Sequence, residues 1–175
     1  MTIFIKSLQE ALEEIKNCAI FVDEKISPLG RPEIFGRVKN SVGTEIYLPS
    51  VDYRARLYSW MIKRVKNTEE KPCEVKVDPC INEMFANAFL HGNLSDKNKE
   101  IEVKLAVGYD GSILSVSDEG EGFNYRRVLE NFRNGEKYFT YQGSGFVSFE
   151  KSKHTISFDD GGRTVFLQYL IEQTS

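Results

Sequence analysis

Apolar positions recur at helical spacing in three stretches of the chain. Leu8, Leu12, Ile15 and Ala19 are separated by Glu10, Glu13, Glu14 and Lys16, which predicts an amphipathic helix over residues 8–20. Leu57, Trp60, Met61 and Val65 predict a second over 53–65, opened by Pro49-Ser50-Val51-Asp52. Ile81, Met84, Phe85 and Ala88 form the buried stripe of a third, over 79–91. Its ends are punctuated. Asp78 can cap it, Pro79 suits the first helical position, and Gly92-Asn93 suits a left-handed residue that stops it. Elsewhere the period falls to two. Ile101, Val103, Leu105 and Val107 alternate with Glu102, Lys104 and Ala106, and a turn at 109–112 leads to a return strand over 113–116. Residues 154–158 and 163–170 repeat the hairpin around Asp159-Asp160-Gly161-Gly162. Short strand-like pieces lie at 34–38 and 45–48, after a breaker at 27–32. A short helix is expected over 124–132, with loops at 67–72 and 134–142. The sum is an α+β two-layer sandwich, a mostly antiparallel sheet with helices on one face.

Composition narrows the class. The chain has 175 residues, enough for one domain with a modest appendage. With 41% hydrophobic and 28% charged residues it can bury a core. A net charge of -3 argues against general nucleic-acid binding, so no direct nucleic-acid partner is expected. No apolar run approaches the ~20 residues that span a bilayer, and the first residues carry no secretory pattern. The expectation is a cytoplasmic protein with no membrane partner. Cys18, Cys73 and Cys80 form no C-x-x-C pair, which leaves a zinc cage poorly supported and suits reduced thiols.

Three short motifs carry candidate chemistry. Glu83, Asn87 and His91 stand four apart, on one face of the third helix. A carboxylate and a carboxamide one turn apart offer oxygen ligands to a hard cation such as Mg2+. The carboxylate could instead serve as a general base. Taken singly, the triplet also suits a solvated helix face. Next, Ser117-Asp118-Glu119-Gly120-Glu121-Gly122-Phe123 follows an apolar strand directly. Its glycines would let the backbone approach a flat ligand, and the Asp118 carboxylate could accept from an exocyclic amine. The order of oxygen donors does not match a calcium loop. Third, Gly143-Ser144-Gly145 can present backbone N–H groups to phosphate oxygens. No G-K-[ST] follows it, so it is not a Walker A loop, and no parallel βαβ unit surrounds it.

In this order the motifs resemble the superfamily shared by gyrase, histidine kinases and a mismatch-repair ATPase. Residues 82–93 look like the N box of that superfamily, 116–123 like its first glycine box and 143–146 like its second. Gly161-Gly162-Arg163-Thr164-Val165 resembles the closing segment with its threonine. Within the superfamily the chain is most similar to bacterial anti-sigma-factor serine/threonine kinases, which share the N-A-x-x-H-G ending of the N box. The likeness runs over about residues 44–170. Residues 1–43 are taken as an N-terminal extension that could extend the sheet, form a dimer contact or mask a partner face, and 44–175 as the ATP-binding domain.

The resemblance implies a histidine-kinase-like ATPase fold that binds ATP with Mg2+. Glu83 would be the general base and Asn87 the Mg2+ ligand. Asp118 would accept from the adenine amine, with Gly120 and Gly122 leaving room for the nucleotide. Gly143, Ser144 and Gly145 would hold the phosphates, and Thr164 would support the adenine end. His91 and His154 are read as structural or supporting groups. The implied function is phosphorylation of a small antagonist protein together with sequestration of a sigma factor or similar regulator, in a possible homodimer. The alternatives are an ATP-gated protein-binding module without kinase activity, the isolated ATPase domain of a histidine kinase, and an α/β domain that binds no nucleotide.

Overall fold

The computed structural model describes residues 3–4, 6–39, 43–66, 77–135 and 154–171. It is an α+β fold. A six-stranded sheet runs in the order β1-β7-β8-β6-β5-β2, where β1 is Ile3–Phe4, β2 Ala19–Ile26, β5 Ile101–Val107, β6 Gly111–Ser117, β7 Thr155–Asp159 and β8 Thr164–Leu170. All neighbours are antiparallel except β1 and β7. Strands β3 (Phe35–Lys39) and β4 (Glu45–Pro49) form a separate hairpin. The helices are α1 (Leu8–Glu13), α2 (Val51–Lys66), α3 (Pro79–Asn87) and α4 (Tyr125–Arg133). Among the described residues no helix is long and apolar enough to cross a membrane.

The main core lies between one sheet face and helices α2 and α3. Leu57 and Met61 of α2 and Ile81, Met84 and Phe85 of α3 bury against Ile101, Val103, Leu105, Leu114, Val116 and Leu167. The stripes predicted for these helices are the ones that pack. The expectation of helices on one face holds for this pair and fails for α1. Ala11 and Ile15 pack on Ile113 and Phe166, which alternate with the main-core residues of β6 and β8. Successive strand residues point to opposite faces, so α1 covers the other side.

The first predicted helix is also too long. Ser7 and Glu10 cap each other reciprocally at its start, and the helix stops at Glu13. Asn17 turns left-handed at φ 51, and the chain is drawn onto the β5–β6 turn. There Lys16 N–H donates to Asp110 Oδ1 at 2.8 Å and Tyr109 N–H donates to the Lys16 carbonyl at 3.0 Å. Ala19 thus begins β2 instead of closing a helical stripe. The described part of residues 1–43 places β1 on one edge of the sheet and β2 on the other.

Helix α3 begins as the sequence predicts, with the Asp78 carboxylate accepting from Cys80 N–H at 3.0 Å. Its end differs. The last turn widens into a π-turn over Ala88–Gly92, closed by Asn93 N–H on the Ala88 carbonyl at 2.8 Å. Gly92 is not left-handed; Leu94 and Ser95 take that conformation instead, at φ 51 and 61. Of the cysteines, Cys18 and Cys80 are free thiols, and Cys73 lies outside the described residues.

Candidate functional site

Three segments converge beside the π-turn: the α3 stripe, the β6 end with its glycine loop, and the turn joining β7 to β8. The cavity between them holds about 690 Å3 of space free of protein atoms, its open mouth included. Met84, Ala88, Val116, Phe158 and Val165 make apolar walls. Asp118, Asn87, His91 and Arg163 supply the polar groups.

Asp118 lies where two backbones touch. Its Oδ1 accepts from Gly120 N–H at 2.8 Å, and its own N–H donates to the Arg163 carbonyl at 3.0 Å. A Cβ on Gly92 would stand 2.1 Å from the Asp118 carboxyl carbon, and one on Gly120 would stand 2.2 Å from the Gly92 carbonyl oxygen. Both positions must therefore be glycine for the carboxylate to keep its place, and in Gly92 the need is close approach, not a left-handed helix stop. Asn93, fully buried, locks the same corner. Its side chain donates to the Glu100 carbonyl at 3.0 Å and accepts from Glu119 N–H at 2.8 Å.

Burial raises the Asp118 pKa above the usual carboxylate value. The Gly120 N–H and the Arg163 cation act against that rise, Asp160 adds to it, and Lys99 opposes it. His91 stands at the rim with much of its surface open, while desolvation of the ring lowers its pKa and favours neutral imidazole. His154 is buried in the fold, with Nε2 3.0 Å from the Tyr58 hydroxyl and 3.8 Å from Asp78 Oδ2. Burial, with the nearby Asp78 adding to it, pushes the Tyr58 hydroxyl up to about 12.

The site residues expected from sequence divide into four groups. Asn87, Asp118 and Gly122 line the cavity, and Gly120 supports Asp118 from behind. Glu83 stands one helical turn before Asn87 and outside the lining. Thr164 is turned to the opposite sheet face, where its hydroxyl lies 2.7 Å from that of Ser117 in a shallow polar groove. Gly143, Ser144 and Gly145 lie outside the described residues. Arg163, Phe123 and Phe158, none of them among the expected site residues, also line the cavity. The strand alternation that puts Val165 and Leu167 on the main core also carries Thr164 away from it. No protein-family model matches the chain, and no curated protein matches it.

Proposed function

We propose that the cavity binds ATP with Mg2+ in a histidine-kinase-like ATPase fold, and that the protein is a regulatory serine/threonine kinase of the anti-sigma-factor type. One observation carries the reading: a half-buried carboxylate, Asp118, at the polar end of an apolar cavity, seated by glycines that leave no room for a Cβ. Apolar walls suit the faces of a purine, and an ionised carboxylate suits its exocyclic amine, which can only donate. Asn87, which lines the cavity, would be the protein ligand of a Mg2+ held mainly by phosphate oxygens and water, since Mg2+ keeps several waters.

ATP would supply the phosphoryl group. The chain's own residues would orient it and manage one proton. Asp118 would accept from the base, Asn87 would hold the cation, and Glu83 would take the proton of the attacking hydroxyl as its oxygen bonds to the γ-phosphorus and ADP leaves. The acceptor would be a small antagonist protein, and the sequestered partner a sigma factor or similar regulator. Phosphoryl transfer depends chiefly on such positioning and charge neutralisation.

A second reading, an ATP-gated binding module without transfer, draws on the place of Glu83 outside the cavity lining. The two separate on Glu83→Ala. For the kinase reading, phosphoryl transfer from Mg·ATP to the protein acceptor falls about a hundredfold or more while ATP affinity stays within about twofold. Unchanged transfer in that variant removes Glu83 as the base, and ATP binding with no transfer by the wild type favours the module.

A further inference from the structure

Helix α1 packs apart from the main core. It covers the sheet face opposite α2 and α3, where Ala11 and Ile15 bury against Ile113 and Phe166. It has six residues, and isolated helices shorter than about 12–15 residues are marginal in water, so α1 is helical only while it is docked. Its seat is partly polar. Gln168, buried beneath it, donates through Nε2 to Glu14 Oε2 at 3.0 Å and to the Ala11 carbonyl at 3.4 Å. Gln168 Oε1 is buried with no hydrogen-bond partner among the described residues. The same holds for Ser157 Oγ, on the same sheet face, since Ser157 alternates with the main-core residues Ile156 and Phe158. Such atoms give up hydration with no bond in its place, and lifting α1 returns water to that face.

The two ends of α1 are held differently. Past its C-terminal end the chain is clamped on the β5–β6 turn by the Lys16–Asp110 and Tyr109–Lys16 bonds, and a Cβ on Gly108 would stand 2.3 Å from Ile15 Cγ2. At its N-terminal end Leu8 N–H donates to Asp159 Oδ2 at 2.7 Å, and ahead of it β1 adds a two-residue pairing with β7. The same Asp159 shapes the β7–β8 turn. Its Oδ1 accepts at 2.8 Å from the N–H of Asp160, which is left-handed at φ 51. That turn meets the glycine loop, with the Gly161 carbonyl accepting from Phe123 N–H at 2.9 Å and the Arg163 carbonyl from Asp118 N–H at 3.0 Å. Gly162, Arg163, Gly122 and Phe123 then line the cavity. The two oxygens of Asp159 thus join the start of α1 to the cavity wall on the other side of the sheet. We propose that α1 is a regulatory cover: it opens from its Leu8 end ahead of the rest of the fold, and its docking holds the β7–β8 turn in the shape that walls the cavity. The effect on a nucleotide rests on the ATP reading; the opening and its coupling to the turn do not.

Hydrogen exchange tests both parts. The Ala11 amide, which donates to the Ser7 carbonyl at 3.1 Å, reads the cover, and the Phe123 amide reads the turn. In the wild type Ala11 should exchange at least about tenfold faster than the slowest core amides, which wait for global unfolding. Mg·ATP at about ten times its Kd should slow Ala11 exchange roughly tenfold, because a ligand that binds only the closed form suppresses opening by mass action. Leu8→Pro removes the N–H that reaches Asp159, and proline suits this first helical position. In that variant Ala11 exchange should quicken and lose its response to ATP. Leu8→Ala keeps the N–H and should keep the response. Ala11 exchange as slow as the core, or an equal ATP response in the two variants, overturns the proposal. A folded wild type that binds no ATP overturns the nucleotide reading instead. The coupling is then read without ligand: Phe123 exchange quickens more in Leu8→Pro than in Leu8→Ala, and an equal rate in the two overturns it.

Discussion

Gly122→Ala is expected to cost about 3 kcal/mol of stability and to remove nucleotide binding. Two effects add. The residue sits at φ +77, where a side chain costs about 1–2 kcal/mol. Its Cβ would also stand 2.2 Å from the carbonyl oxygen of Gly161. That oxygen is backbone and cannot rotate aside, and it already accepts from Phe123 N–H at 2.9 Å. Relief of the collision separates the glycine loop from the β7–β8 turn, and with them Asp118 from Arg163. Urea unfolding of the variant measures the first loss and ATP titration the second. Gly36→Ala is the control, because nothing lies within 4 Å of a Cβ there and its φ is not left-handed. A Gly122→Ala protein with wild-type stability would show that the corner is not packed as described.

Phe85→Ala should cost about 3–5 kcal/mol, the usual loss for emptying a buried phenylalanine site. The ring is fully buried between α2, α3 and the sheet, with the Tyr53 ring edge-on at 6.3 Å. Domains of this size hold only about 5–15 kcal/mol in reserve, so the variant should be marginally folded at 37 °C. The neighbouring residue Met84 lines the cavity, and Asn87 lies two residues beyond Phe85 on the same helix. Any repacking of α3 into the void therefore loosens the site as well. Chemical denaturation reads the effect. A loss below about 1 kcal/mol would mean that the site collapses without a cavity, contrary to the close packing of this core.

Helices α2 and α3 and the two C-terminal hairpins were legible because each carries one clean period. Strand β2 was not. The stripe Leu8, Leu12, Ile15 continues in register to Ala19, so helical spacing runs on past the point where the helix ends. What stops the helix is a tertiary contact, Asp110 on Lys16 N–H, ninety-four residues away in sequence. The orientation of Thr164 was hidden for a different reason. Sheet faces covered on both sides lose the polar half of their alternation, and β8 buries Phe166 on α1 as readily as Val165 and Leu167 on the main core. Asp118, Gly120 and Gly122 could be singled out from local spacing. The need for glycine at position 92 could be seen, but not its cause, since the clashing carboxylate comes from another loop. Arg163 stands inside the closing segment, where the resemblance singles out the threonine beside it and gives the arginine no role.

Whether Asp118 reads the base of a bound nucleotide is decided by calorimetric titration of ATP with Mg2+ into the wild type and into Asp118→Asn. Asn keeps an oxygen for the Gly120 N–H but turns an amide donor toward the amine. The expected result is clear binding by the wild type and a loss of about 1–3 kcal/mol in the variant, roughly tenfold or more in affinity. Equal affinity in the two proteins, or no binding by folded wild type, would contradict it.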